Sequence, residues 1–263
     1  MLGATGRIGP GLLEEYSKNY SKSYDIIIGS RKKLKNNFKF VKIDLGNLNI
    51  LKKAMKSIDV VINFAANSNP EADFKDILNP NIIGAYNVFE AARLSKVKRV
   101  IFASSIHAVK GYSDKYEVTP HDAPKPLNFY GASKAFGESL CYVFSSKYGL
   151  SCLAIRVGAY VSNDKQKSIC YTRRDYGHII SQRDMAQLIH KSILAPKKVK
   201  YAILSGISKD KHKHLELKST KKLIGYEPKD DAYQICKAIK TEKIKDFLGQ
   251  KTRKSFAESK LRK

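Results

Sequence analysis

The chain opens MLGATGRIGP, residues 1–10, in which Gly3, Gly6 and Gly9 spell G-x-x-G-x-x-G. That spacing describes a bend from a buried strand into a helix, where bare backbone lets N–H groups approach a pyrophosphate. Only Met1 and Leu2 stand before it to supply the strand. A strand feeding such a loop belongs in the middle of a parallel sheet. The sequence therefore predicts a gap there, with backbone groups left unpaired at about 1–3 kcal/mol each when buried. The expectation is a start several residues late, or a truncated copy.

Working outward, short apolar runs alternate with amphipathic stretches through the first 158 residues, the rhythm of β-α-β units. Strands are expected at 24–29, 38–44, 59–65, 99–104 and 151–157. Helices are expected at 10–20, 48–57, 73–95 with a bend at Pro80, and 129–148 with Gly149 at its end. After Gly158 the rhythm gives way to a polar and aromatic loop. A helix at 182–194, a strand at 199–204, helices near 215–224 and 230–247 and a lysine-rich tail follow. The fold class is α/β, a doubly wound parallel sheet of the Rossmann kind with its first strand truncated. Residues 1–158 would form the dinucleotide-binding domain. Residues 159–263 would form a small substrate-binding lobe with returning sheet elements and a basic tail. Ligands of such sheets bind beyond the carboxyl ends of the strands.

A chain of 263 residues with 43% apolar content can bury a full core. No run approaches about 18 apolar residues and no secretory signal is present, so the chain reads as a cytosolic protein without a membrane span. Cys141, Cys152, Cys170 and Cys236 are far apart in sequence, which points to reduced thiols rather than a zinc site or disulfide framework. His212 and His214 lack acidic or cysteine companions at ligand spacing, so no metal is expected. The formal charge is +25, and residues 241–263 carry eight basic and three acidic side chains. The remaining surplus is scattered, which describes a solvated surface better than a nucleic-acid footprint.

Two further signals follow the glycine loop in order, Ser104-Ser105 after a strand and Tyr130-Gly-Ala-Ser-Lys134 opening a helix. Tyr130 and Lys134, four apart, share one helix face. A free tyrosine has a pKa of about 10, so service as a base near neutrality needs its phenolate stabilised by roughly 3–4 kcal/mol. Lys134 and an oxidised nicotinamide would supply that through positive charge. Ser105 would hydrogen-bond the reacting oxygen.

With GATGRIG at 3–9, Asp44-Leu45, NFAA at 63–66, Asn81, FASS, YGASK and IRVG in place, the sequence resembles the extended short-chain dehydrogenase/reductases, the NAD-dependent epimerase/dehydratase family, from residue 3 to about 235. FASSIHAVKGY, NFYGASKAFGESL and LIGYEPKDD are most similar to the uronate dehydrogenases within it, which pass hydride from the anomeric carbon of a uronic acid to NAD. The resemblance implies a catalytic set of Ser105, Tyr130 and Lys134, with Asn81 supporting a proton relay. It implies cofactor contacts from Gly3, Gly6, Arg7, Ile8 and Gly9, from Ser30 and Arg31, and from Asp44 and Leu45 near adenine. Ala65, Ala66 and Val157, with Tyr130 and Lys134, would complete the cofactor site. Ser68, Ser105, His107 and Arg174 would bind substrate, Arg174 by a two-point hydrogen bond to its carboxylate. Ile106 stands where the pattern has asparagine and Ala159 where it has serine, removing two polar contacts to sugar hydroxyls.

Dehydrogenases specific for NAD place an acid about 20 residues after the glycine loop, against the ribose hydroxyls. Here Ser30 is followed by Arg31, Lys32 and Lys33, which favours NADP over NAD. The implied function is an NAD(P)-dependent oxidoreductase acting on a sugar or sugar acid. The alternatives are a sugar-nucleotide epimerase or dehydratase that retains its cofactor, and a non-catalytic NADP-binding regulator. The resemblance also implies a homodimer paired through the helices at 73–95 and 129–148.

Overall fold

The apolar runs pair in parallel, as expected for strands buried on both faces. The computed structural model of the protein describes residues 1–34, 37–113, 115–163, 178–210 and 214–237. Its elements are α1 (Gly9–Asn19), β1 (Ile27–Ser30), β2 (Lys39–Lys42), α2 (Leu48–Ala54), β3 (Val60–Asn63), α3 (Phe74–Ile77), α4 (Gly84–Leu94) and β4 (Arg99–Ser105). They continue with α5 (Phe129–Tyr148), β5 (Ser151–Val157), β6 (Ala159–Val161), β7 (Ile179–Ser181), α6 (Gln182–Ile193), β8 (Tyr201–Gly206) and α7 (Lys218–Ile224). Strands β3, β4, β5 and β8 lie side by side in that order, with Arg99 opposite both Val60 and Ser151, and Cys152 opposite Tyr201. Every residue of β4 and β5 is buried, as central strands require. Leu51, Val88, Phe89 and Phe144 of α2, α4 and α5 form the core on one face. Leu12 and Tyr16 of α1 with Leu188 and Ile189 of α6 form it on the other.

At the place of the predicted gap, Leu2 stands between β1 and β3. Leu2 bridges Gly29 on one side and Asn63 on the other, joining the β1–β2 pair to the four-stranded sheet. Its N–H donates to Ile62 O at 2.8 Å, its carbonyl accepts from Phe64 N at 3.1 Å, and Met1 O accepts from Gly29 N at 2.9 Å. The Met1 ammonium donates to Ile27 O at 2.6 Å, and burial lowers its pKa to about 5. Beyond it lies a cavity of about 410 Å³ between Tyr24–Ile27 and Ser57–Val60, walled by Leu12, Tyr16 and Ile193.

The predicted bend at Pro80 is a π-helical turn, Leu78–Ile83, between α3 and α4. Proline has no N–H for the regular ladder, and the wider turn absorbs the missing bond. The expected loop after Gly158 instead contains β6 and β7, a short parallel pair with Ala159 opposite Ile179. Three-residue strands so far apart in sequence leave no periodic signal. The helix expected at 230–247 is helical over 232–237, starting after a bridge between Lys209 and Asp231, and 238–247 fall outside the described residues. Cys141 and Cys152 are free and buried, whereas Cys236 is disulfide-bonded, which corrects the reading of four reduced thiols. Spacing alone cannot reveal such a bridge. Cys170 lies outside the described residues.

Candidate active site

A cavity of about 300 Å³ opens at the carboxyl ends of the central strands. Gly3, Gly6, Arg7 and Ile8 line one end, and Ser68, Ser105 and His107 line the other. Ala66, Tyr130, Lys134 and Val157 stand between them.

The glycine end is built by backbone. Gly3 has φ +78°, and a Cβ there would come within 2.5 Å of Ala65 N, so only glycine lets the loop lie against the end of β3. Gly6 N–H donates to Gly3 O at 3.0 Å, closing the bend. Pro10 in the first turn of α1 presets its backbone, while Ile8 at the cap position has no side-chain oxygen to satisfy the first N–H groups. An uncapped helix start beneath a glycine bend suits a pyrophosphate, and in this respect the residues present fit a dinucleotide. Gly9, the first residue of α1, and Ala65 flank the cavity without lining it.

The other wall is set by β4 and α5. Asn128 caps α5 by accepting from Gly131 N at 2.7 Å. A Cβ on Gly131 would meet His107 O at 2.3 Å, so this glycine allows α5 to start hard against the residues following β4. That approach sets Tyr130 on the same cavity wall as Ser105. The Ser105 hydroxyl oxygen accepts from His107 N at 3.2 Å, which leaves its proton for the phenol oxygen. Burial raises the Tyr130 pKa above its ordinary value of 10.0, and the Ser105 hydrogen bond works in the opposite direction. Lys134 donates to Ala103 O at 2.8 Å and stands 5.6 Å from the Tyr130 ring centroid. Burial lowers its pKa to about 8.

His107 packs edge-on to Tyr130 with ring centroids 5.4 Å apart, and its Nδ1 lies 3.2 Å from the Asn128 amide nitrogen. Burial, and then the charge of Lys110, lower its pKa to about 4. Nδ1 therefore accepts the Asn128 N–H from a neutral ring.

Asn81, held inward by the π turn, accepts from Asn67 N at 2.7 Å. Its amide donates to Asn67 O at 2.9 Å and to Ser133 Oγ at 3.0 Å, and Ser133 in turn donates to Tyr130 O at 2.7 Å. Asn81 thus braces the turn of α5 that carries Tyr130, and it does not line the cavity.

The adenine-end residues lie elsewhere along the strand ends. Ser30 closes β1 and its hydroxyl donates to Lys32 O, while Arg31, Lys32 and Lys33 are exposed. Exposed Asp44 follows β2 and accepts from Gly46 N at 2.9 Å. Leu45 O accepts from Asn87 of α4 at 2.8 Å. Arg174 and His212 lie outside the described residues. His214 is buried edge-on to His178 at 4.7 Å, and among the described residues no group of three or more His, Cys, Asp or Glu could hold a metal. No helix among them is long and apolar enough to cross a membrane.

Sequence reasoning missed Phe64, Pro70, Lys110, Tyr160 and His178, all of which line the cavity. Lys110 lies in the quoted FASSIHAVKGY but is masked by the general abundance of lysine. Tyr160 and His178 belong to the β6–β7 region, which had no periodic signal.

The profile of the NAD dependent epimerase/dehydratase family matches residues 1–182. A uronate dehydrogenase of Pseudomonas putida is 30% identical over 199 residues, spanning 76% of this chain and 71% of that protein. An L-arabinose 1-dehydrogenase (NAD(P)(+)) of Haloferax volcanii is 30% identical over 210 residues, spanning 72% of this chain and 82% of that one. The crystal structure of uronate dehydrogenase from Agrobacterium tumefaciens superposes with a TM-score of 0.80 at 27% identity, covering 91% of this chain and 87% of the other. With the profile spanning well over half of its length and carrying the glycine bend, Ser105, Tyr130 and Lys134, the chain belongs to the NAD-dependent epimerase/dehydratase family.

Proposed function

We propose that the chain is an NAD(P)-dependent oxidoreductase of the extended short-chain type that oxidises a sugar or sugar acid at its anomeric carbon. The observation that carries this is the convergence of Ser105, Tyr130 and Lys134 on one cavity beside the glycine bend. Tyr130 takes the proton of the anomeric hydroxyl, and Ser105 holds the same oxygen as it becomes a carbonyl. Lys134, fixed on Ala103 O, supplies the positive charge that favours the phenolate. Asn81 keeps the first turn of α5 in place through Ser133. The bound nicotinamide supplies the hydride acceptor.

Gly3, Gly6, Arg7, Ile8 and Gly9 would hold the pyrophosphate. Ser30 and Arg31 would face the adenosine ribose, and Asp44 and Leu45 the adenine. Ala65, Ala66 and Val157 would border the nicotinamide. The absence of a carboxylate at Ser30 and the exposed cations at 31–33 support NADP as the preferred form. Ser68 and His107 would contact the sugar together with Arg174. In this reading residues 1–158 bind the cofactor and residues 159–263 close over the substrate while returning β8 to the sheet. The exposed Tyr86, Leu94, Tyr142 and Tyr148 on α4 and α5 support a homodimer through those helices.

The test is a panel of uronic acids, neutral aldoses and sugar nucleotides with each nicotinamide cofactor, followed by cofactor absorbance and product analysis. Net reduction of NAD(P) by a free uronate or aldose is expected. Interconversion of sugar nucleotides with no net reduction would overturn the reading in favour of an epimerase.

A further inference from the structure

Among the described residues, the substrate end of the cavity holds one cation, Lys110, that is engaged in neither an ion pair nor a hydrogen bond. Of the charged side chains lining the cavity, Arg7 donates to Tyr160 O at 3.5 Å beside the glycine bend, and Lys134 donates to Ala103 O at 2.8 Å. The third, Lys110, is half-buried three residues beyond His107, and it makes no hydrogen bond or ion pair with another described residue. Among the described residues, no Asp or Glu lines the cavity. Lys110 acts electrostatically on His107, whose ring stands 5.4 Å from that of Tyr130, so its charge is felt close to the reacting end. The cavity lining also includes Ile106, only 7% exposed, and Ala159 beside Gly158.

A cation on the cavity wall with no acidic partner among the described residues leaves its donors available to an anionic ligand. The side chains of Ile106 and Ala159 offer no polar atom to a sugar hydroxyl, so charge can add to the recognition that the remaining polar side chains of the wall supply. We propose that Lys110 is a specificity-determining residue that binds the anionic substituent of the sugar, a carboxylate or phosphate ester. The assignment rests on the proposed substrate end of the cavity. Lysine, a point charge with three rotatable donors, suits either anion.

The test reads binding without turnover. In a Tyr130→Phe background saturated with oxidised cofactor, glucuronate, glucose 6-phosphate and glucose are titrated calorimetrically, with and without Lys110→Gln or Lys110→Arg. The expected result is binding of at least one anionic sugar, weakened about tenfold or more by Lys110→Gln and largely retained by Lys110→Arg, with glucose changed less than about twofold. Whichever anionic sugar shows this dependence identifies carboxylate or phosphate as the group recognised. No binding of either anionic sugar, affinity indifferent to Lys110→Gln, or equal weakening of glucose would each overturn the proposal. Lys110-dependent binding of a sugar that the unmodified protein fails to oxidise would sink the dehydrogenase reading and leave this one standing. Oxidation of a sugar whose binding ignores Lys110 would do the reverse.

Discussion

At the residue scale the chemistry turns on a buried phenol, which by itself is a poor base. Burial raises the Tyr130 pKa, so the hydroxyl of Ser105 and the positive charge of Lys134 must do the opposite when substrate and cofactor are in place. Tyr130→Phe is expected to lower turnover by about 10²–10⁴-fold, the range of general acid–base catalysis, while cofactor affinity measured by fluorescence titration stays within about twofold. His107 gives a pH signature. Unfolded, it takes a proton near 6.5, whereas folded it stays neutral down to about 4, so between those values the unfolded chain binds more protons. Stability from this group is complete above 6.5 and falls as the pH drops toward 4. Urea unfolding of His107→Gln should show a shallower loss of stability across that window than the parent protein. The residue types and spacing of Ser105, Tyr130 and Lys134 were readable in the sequence because their chemistry is local to one strand end and one helix turn. The role of Asn81 as a brace on Ser133 was not, because those two residues are 52 positions apart.

At the element scale, β4, α5 and β5 are fastened by an ion pair that the sequence reading left without a role. Arg156 and Glu138 are 1% and 3% exposed and 3.0 Å apart, and Ser104 next to the site donates to Glu138 at 2.6 Å. Arg156 also donates to Thr119 O at 3.2 Å and Asp122 O at 3.3 Å, tying the 119–122 segment to the sheet. Removing one partner leaves a buried charge unpaired. Arg156→Ala should therefore cost about 3–5 kcal/mol in chemical denaturation, and the double change Glu138→Leu with Arg156→Met should be milder. Arg99 works similarly at the other end of β4, donating to the Ser192, Ile193 and Ala195 carbonyls where α6 ends. Strand and helix positions were legible from periodicity, as α5 at Phe129–Tyr148 illustrates. These fastenings were not, because a charged residue inside an apolar run does not announce its partner.

At the scale of the whole molecule, the exposed apolar side chains include Tyr86 and Leu94 on α4 and Tyr142, Val143 and Tyr148 on α5, with Tyr142 58% and Tyr86 46% exposed. The proposed homodimer should sediment as a dimer that Tyr142→Glu converts to monomer with little change in melting temperature. The sequence by itself determined the parallel α/β architecture, the glycine bend and the Ser-Tyr-Lys set, because each is written in local spacing and burial period. Only the tertiary structure decided what Met1 and Leu2 do. Leu2 pairs with both Gly29 and Asn63. Likewise, only the fold brought Lys110 to the wall of the Tyr130 cavity and β6 beside β7. The physical reason is the same in each case, since a contact between distant residues depends on how elements pack and leaves no periodic trace along the chain.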